Sequence, residues 1–149
     1  MMRKDEIRAF LVPILEKEVA EIDAPTEADW RRFETRFATQ LPKEFKTFIE
    51  LMSEFSFPGD IYNIAQTGRT NGNDRIETIY ESEVAASGWP ANLIPFYGIG
   101  NGDYFALDKD EGPKSAVYYR YHEDGRVEKQ NDSFADWLKR LPAFLSGEG

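Results

Sequence analysis

The hydrophobic pattern of this chain changes period twice, and that change limits the fold more than any single motif. Up to Phe57 the apolar residues recur every three or four positions; from Asp60 to Gln130 they alternate or run in short blocks; after Ser133 the helical spacing returns. Helices, then strands, then one helix imply an α+β fold, with N-terminal helices and a C-terminal helix packed on a mainly antiparallel β-sheet. No repeat, low-complexity tract or linker interrupts the pattern, so residues 1–149 read as one domain. A globule of this length buries about 68–70% of its unfolded surface. The 11 Phe, 7 Tyr and 3 Trp supply ample core material.

The first helix is predicted within Asp5 to Ile22, with Ile7, Phe10, Leu11, Ile14, Leu15 and Val19 on one face. Pro13 points away from that stripe but removes an amide, so a kink or a later start is expected. The second helix begins after Thr26, a capping residue with Asp29 three positions on, and buries Trp30, Phe33 and Phe37. Pro42 suits the start of a third helix, which buries Phe45, Phe48, Ile49 and Met52. On its surface Lys46 and Glu50 are spaced to pair.

Asp60 to Gln66 and Arg75 to Glu81 read as strands joined through Thr67 to Asp74, where Asn71-Gly72 supplies turn residues. Ser82 to Ser87 reads as a short helical turn. Further strands are predicted at Leu93 to Tyr97, Asp103 to Leu107, Ala116 to His122 and Arg126 to Gln130. Pro95 marks an edge or a strand end, and Asp124-Gly125 a hairpin. Ser133 caps the last helix, which buries Phe134, Trp137, Leu138 and Leu141. Pro142 weakens its continuation, and Ser146 to Gly149 read as a frayed tail.

The formal charge is −9 and neither half of the chain is basic. Phosphate repulsion therefore disfavours direct nucleic-acid binding. An acidic surface steers a basic protein partner, although the same charge also serves plain solubility. There is no cysteine, hence no disulfide, thiolate metal site or cysteine nucleophile. No secretory pattern and no apolar run near the ~20 residues of a membrane span appear, so a cytoplasmic protein is expected.

Candidate chemistry is sparse. His122 is the only histidine, and the sequence offers it no triad or metal set. Gly98-Ile99-Gly100-Asn101-Gly102 is rich in glycine but leads into a strand, whereas a phosphate cradle must open a helix; a turn or bulge is expected. Asp108, Asp110 and Glu111 fail calcium-loop spacing and read as a solvated acidic loop. Asp103 reads as a carboxylate that fixes its turn through backbone amides. Asn131-Asp132-Ser133 matches a glycosylation acceptor, but Ser133 serves as a helix cap. Tyr119 and Tyr121 share one strand face and Tyr118 the other, so one face carries tyrosine toward water, a second layer or a partner. No cofactor, metal or catalytic set follows from these residues.

Two segments resemble a known family. They are Phe33-Glu34, Leu41-Pro42-Lys43-Glu44-Phe45 and Phe48, then Leu93-Ile94-Pro95-Phe96 with Gly100-Asn101-Gly102-Asp103-Tyr104-Phe105 and Leu107-Asp108. With the closing Ser133 to Leu138, they resemble the SUKH superfamily, which includes fungal cell-wall-assembly regulators of the Smi/Knr type and many bacterial immunity proteins. The likeness runs from about Ile22 to Leu141. It implies helices packed on an antiparallel sheet, and protein binding without catalysis.

The leading expectation is an immunity protein that neutralises a cognate bacterial toxin, such as a nuclease, by direct binding. Partner-binding candidates are acidic loop residues Asp108, Asp110, Glu111, Glu123 and Asp124, with Tyr119 or Tyr121 as anchor. The alternatives are a regulatory module with an endogenous partner, and an acid–base hydrolase using Asp103 with His122. Nothing in the spacing demands the last of these.

Overall fold

The computed structural model describes residues 3–17, 23–57, 60–62, 64 and 75–145. Helix α1 (Lys4–Leu11) leads into strand β1 (Glu16–Lys17), followed by α2 (Glu27–Phe37), α3 (Lys43–Leu51), β2 (Phe55–Ser56) and β3 (Asp60–Ile61). Then come α4 (Ile76–Ser87), β4 (Leu93–Gly98), β5 (Tyr104–Asp108), β6 (Val117–Arg120), β7 (Val127–Asn131), α5 (Phe134–Lys139) and α6 (Leu141–Leu145). A five-stranded antiparallel sheet has the order β3-β4-β5-β6-β7, and β1 pairs with β2 in a separate ribbon.

The predicted first helix is shorter than its apolar stripe. It stops at Leu11 and a turn spans Pro13, so Leu15 enters the core from outside the helix. Val19 lies outside the described residues. Thr26 and Asp29 form the expected reciprocal cap on α2, with Asp29 N donating to Thr26 Oγ1 at 3.1 Å and Thr26 N to Asp29 Oδ2 at 2.9 Å. Thr26→Ala is expected to cost about 1 kcal/mol in a urea titration. A loss below the scatter of exposed-site variants would show that the cap contributes nothing.

Lys46 and Glu50 do not pair with each other. Lys46 reaches Glu34 Oε2 at 3.3 Å, while Glu50 accepts from Trp30 Nε1 at 2.9 Å and pairs with Lys4 at 3.5 Å. Both side chains find partners on neighbouring helices, and the half-buried setting strengthens those contacts. Glu34 Oε2 also accepts the Leu41 amide at 2.8 Å, which fixes the α2–α3 connection.

The largest departure is α4. Arg75 to Glu81 reads as a strand from its β-branched residues, yet from Ile76 onward it is helical and continuous with the predicted turn at Ser82 to Ser87. Ile76, Ile79 and Tyr80 also fit helical spacing, and tertiary contacts choose that alternative. Tyr80 packs on Phe37 at 5.0 Å and donates to the Ala91 carbonyl at 2.8 Å. Glu77 accepts from Arg32 at 3.1 Å and Arg36 at 3.4 Å, and Arg36 also reaches Glu81. Thr67 to Asp74, including Asn71-Gly72, lies outside the described residues, as does most of the predicted strand after Ile61.

Pro95 also departs from expectation, since β4 is an interior strand. Among the described residues β3 pairs only with Tyr97 and Gly98, and the β4–β5 register shifts between Pro95 and Tyr97. The missing amide thus falls beside a bulge, one of the places within a sheet where proline is tolerated. Pro142 divides the predicted last helix into α5 and α6. The tail from Ser146 lies outside the described residues.

One sheet face meets α3 and α5. Phe96 of β4 lies 5.5 Å from Phe45, 5.6 Å from Phe134 and 5.1 Å from Trp137. The other face carries a smaller layer of Trp89, Leu93 and Ala106, with Tyr80 of α4 packed against it. The Arg120 guanidinium lies 5.2 Å from the Trp89 ring centroid, so a buried cation meets a π-face. Among the described residues, no helix is long and apolar enough to cross a membrane.

Candidate protein-docking site

The candidate residues separate into two groups at opposite ends of β6. Asp108 ends β5, and Asp110 and Glu111 follow it in the β5–β6 connection before Val117; Tyr121, Glu123 and Asp124 follow Arg120 in the β6–β7 turn. Four residues of strand put roughly 13 Å between these ends. The sequence candidates therefore do not form one patch.

The β5–β6 connection is bonded to itself and to the helices. Asp108 Oδ1 accepts the Asp110 amide at 2.9 Å, and Ser115 Oγ accepts the Asp108 amide at 2.8 Å. Both Glu111 oxygens are engaged, by the Ala116 amide at 3.0 Å and the Tyr118 hydroxyl at 2.7 Å. Burial, then the bond to Glu111, raises the Tyr118 pKa. Thr39 Oγ1 donates to the Lys109 carbonyl at 2.6 Å, fastening the loop to the α2–α3 connection. These acidic residues shape their own loop.

The opposite rim is organised by Asp103. It is 7% exposed and sits at the start of β5, after Gly100 and Gly102, both at positive φ. Its Oδ1 accepts the His122 amide at 2.8 Å and faces His122 Nδ1 at 2.6 Å; its Oδ2 accepts the Tyr119 hydroxyl at 2.7 Å. An ionised carboxylate only accepts, so the ring nitrogen facing it carries the proton. Burial pushes the Asp103 pKa up, but the His122 and Tyr119 hydrogen bonds outweigh it and hold the group below its ordinary value. Burial and the same bond raise the Tyr119 pKa.

His122 thus has a partner that chain order hides. Continuing the β5–β6 register beyond Tyr104 and Arg120 brings Gly102 opposite His122. A Cβ at Gly102 would lie 3.0 Å from His122 Cγ, so glycine is required both by its φ of 95° and by the imidazole above it. The β5–β6 register, which the sequence alone does not fix, is what brings this pair together.

Tyr121 follows on the face of Tyr119, with the two rings 4.7 Å apart. Its hydroxyl donates to Glu128 at 2.7 Å, which raises its pKa, and Arg126 lies over its ring at 4.1 Å. Arg126 and Glu128 were not among the sequence candidates; their role follows from the hairpin register across Tyr119 and Glu128. Asp124 Oδ1 accepts the Arg126 amide at 2.9 Å and closes the turn. Glu123 is exposed and makes no hydrogen bond or ion pair among the described residues.

Chemically, the rim offers a fixed tyrosine, an exposed imidazole and an excess of carboxylates. Asp103 and His122 do meet, as an acid–base pair would, but both Asp103 oxygens are committed to holding the two hairpins together. A hollow of about 180 Å³ beside Gly98, Gly100 and Asp103 does not have His122 among its lining residues. No group of three or more His, Asp or Glu side chains able to hold a metal occurs among the described residues.

A crystal structure of a protein from Pseudomonas syringae pv. tomato is similar in fold, with a TM-score of 0.66 and 17% identity over 92% of this chain and 96% of that one. No curated protein matches the chain. A family model described as SMI1-KNR4 cell-wall (SUKH_5) matches residues 7–143, the span that holds the aromatic core and both rims, and the chain therefore belongs to that SUKH family.

Proposed function

We propose that this protein neutralises a cognate bacterial toxin by binding it directly, without catalysing a reaction, and that the β6–β7 rim is the docking surface. The observation that carries this reading is the commitment of Asp103 to a structural brace. The one acid–base pair at the rim fixes Tyr119 and His122, which flank Tyr121 and lead into Glu123 and Asp124. A rigid loop loses little entropy on binding, so its contacts convert efficiently into affinity. Tyr121 supplies an aromatic anchor with a polar tip, and Glu123 and Asp124 supply negative charge for a basic partner. The SUKH membership and the −9 charge agree with such a role.

The test is co-expression with the toxin encoded by a neighbouring gene. Protection and a stable complex are expected. The pair Glu123→Lys and Asp124→Lys is expected to weaken binding at least tenfold, about 1.4 kcal/mol, mainly through association rate. Tyr121→Ala is expected to cost about 2 kcal/mol of binding energy. Full protection by both variants would remove this rim from the interface. Absence of any complex with neighbouring toxins would favour a second reading, a regulatory module with an endogenous partner, which the cell-wall description of the family supports. Affinity purification from the native cell would then recover that partner.

A further inference from the structure

The sheet ends at β7, and nothing among the described residues pairs with its outer edge. Val127 to Gln130 are all exposed, and Asn131 is half-buried. Two hollows lie side by side between this strand and the last two helices, sharing Gln130, Asn131 and Arg140. The smaller, about 140 Å³, is walled by Phe105, Trp137, Leu141 and Phe144. The larger, about 360 Å³, has Lys129, Lys139 and Arg140 on its lining, together with Asp132 and Asp136. Those three cations make no ion pair among the described residues, although the chain as a whole is strongly acidic. The hollow therefore carries a local net positive charge of one.

We propose that β7 and these two hollows form a docking site for an extended acidic segment of a protein partner, added as a sixth strand. The open backbone edge supplies hydrogen bonds along the segment. The smaller hollow takes one aliphatic side chain against its aromatic and leucine wall. The cationic hollow takes a carboxylate two residues away, since alternate side chains of a strand share a face. A second copy of this chain is a poor occupant. Two-fold antiparallel pairing that overlaps all of β7 sets Lys129 directly against its own copy, and like charges opposite each other repel. A separate chain carrying carboxylates meets no such repulsion. The site does not depend on the toxin-binding reading of the β6–β7 rim.

The probe is a fluorescein-labelled eight-residue peptide of threonine, with one leucine and one glutamate two positions apart. Saturable binding to the full-length protein is expected, with alternate amides of Val127 to Asn131 gaining hydrogen-exchange protection. Lys139→Glu combined with Arg140→Glu is expected to weaken binding at least tenfold, and replacing the peptide glutamate with lysine should do the same. Both positions are exposed, so the folded state survives the change. Three results would overturn the proposal: no saturable binding below about 1 mM, equal affinity for the charge-reversed protein, or displacement by equimolar inorganic phosphate with no protection along β7. The last would reveal a simple anion site.

Discussion

Phe96→Ala is expected to remove about 3–5 kcal/mol of folding free energy, the cost of emptying a fully buried phenylalanine site. Phe96 has zero exposure and touches rings from α3, β5 and α5. Those rings belong to rigid elements on several sides, so the hole has little means of collapsing. For a chain of this size the melting temperature should fall by roughly 6–20 °C. Val127→Ala, at an exposed site on β7, should stay within about 0.5 kcal/mol of wild type. Chemical denaturation of both variants makes the comparison. A Phe96 loss no larger than the Val127 loss would contradict this description of the core.

Asp103→Asn is expected to cost about 2–3 kcal/mol at neutral pH. The amide keeps the shape of the side chain but presents a donor where the carboxylate accepted, and it gives up charge-assisted bonds to His122 and Tyr119. The pH dependence has a definite sign. The folded-state pKa of Asp103 lies below its ordinary value. Its stabilisation is therefore complete above about pH 4, the ordinary carboxylate range, and is lost as the pH falls through the lower folded value. Stability curves of wild type and variant should converge in acid. A gap that persists undiminished at about pH 2 would place its origin outside the carboxylate charge.

The helical half was legible where apolar spacing and capping agreed. Thr26, Pro42 and the Phe45–Phe48 stripe lie where the pattern puts them, because local propensity and core packing favour the same state. Arg75 to Glu81 was misread because isoleucine and threonine satisfy both periods. The decision came from Phe37 and two arginines on α2, which are distant in sequence. The candidate site was half legible for a similar reason. Glycine and Asp-Gly signals locate the turns, but only the register between β5 and β6 brings Asp103 to His122. Counting acidic residues likewise joined two loops that the length of β6 keeps apart. Glu111 illustrates the difference, since a carboxylate that looks available in sequence is occupied by its own loop.

The strand order β3-β4-β5-β6-β7 is also the chain order. In the span from Leu93 to Asn131 every ladder therefore closes over a short connection, which keeps the entropic penalty of each closure small. The β1–β2 ribbon is the opposite case, joining Glu16 to Ser56 across two helices. Assembly should begin in the meander and end with the N-terminal clasp. Hydrogen-exchange labelling during refolding would then record early protection at Phe105 and Tyr119, with Lys17 among the last amides to close.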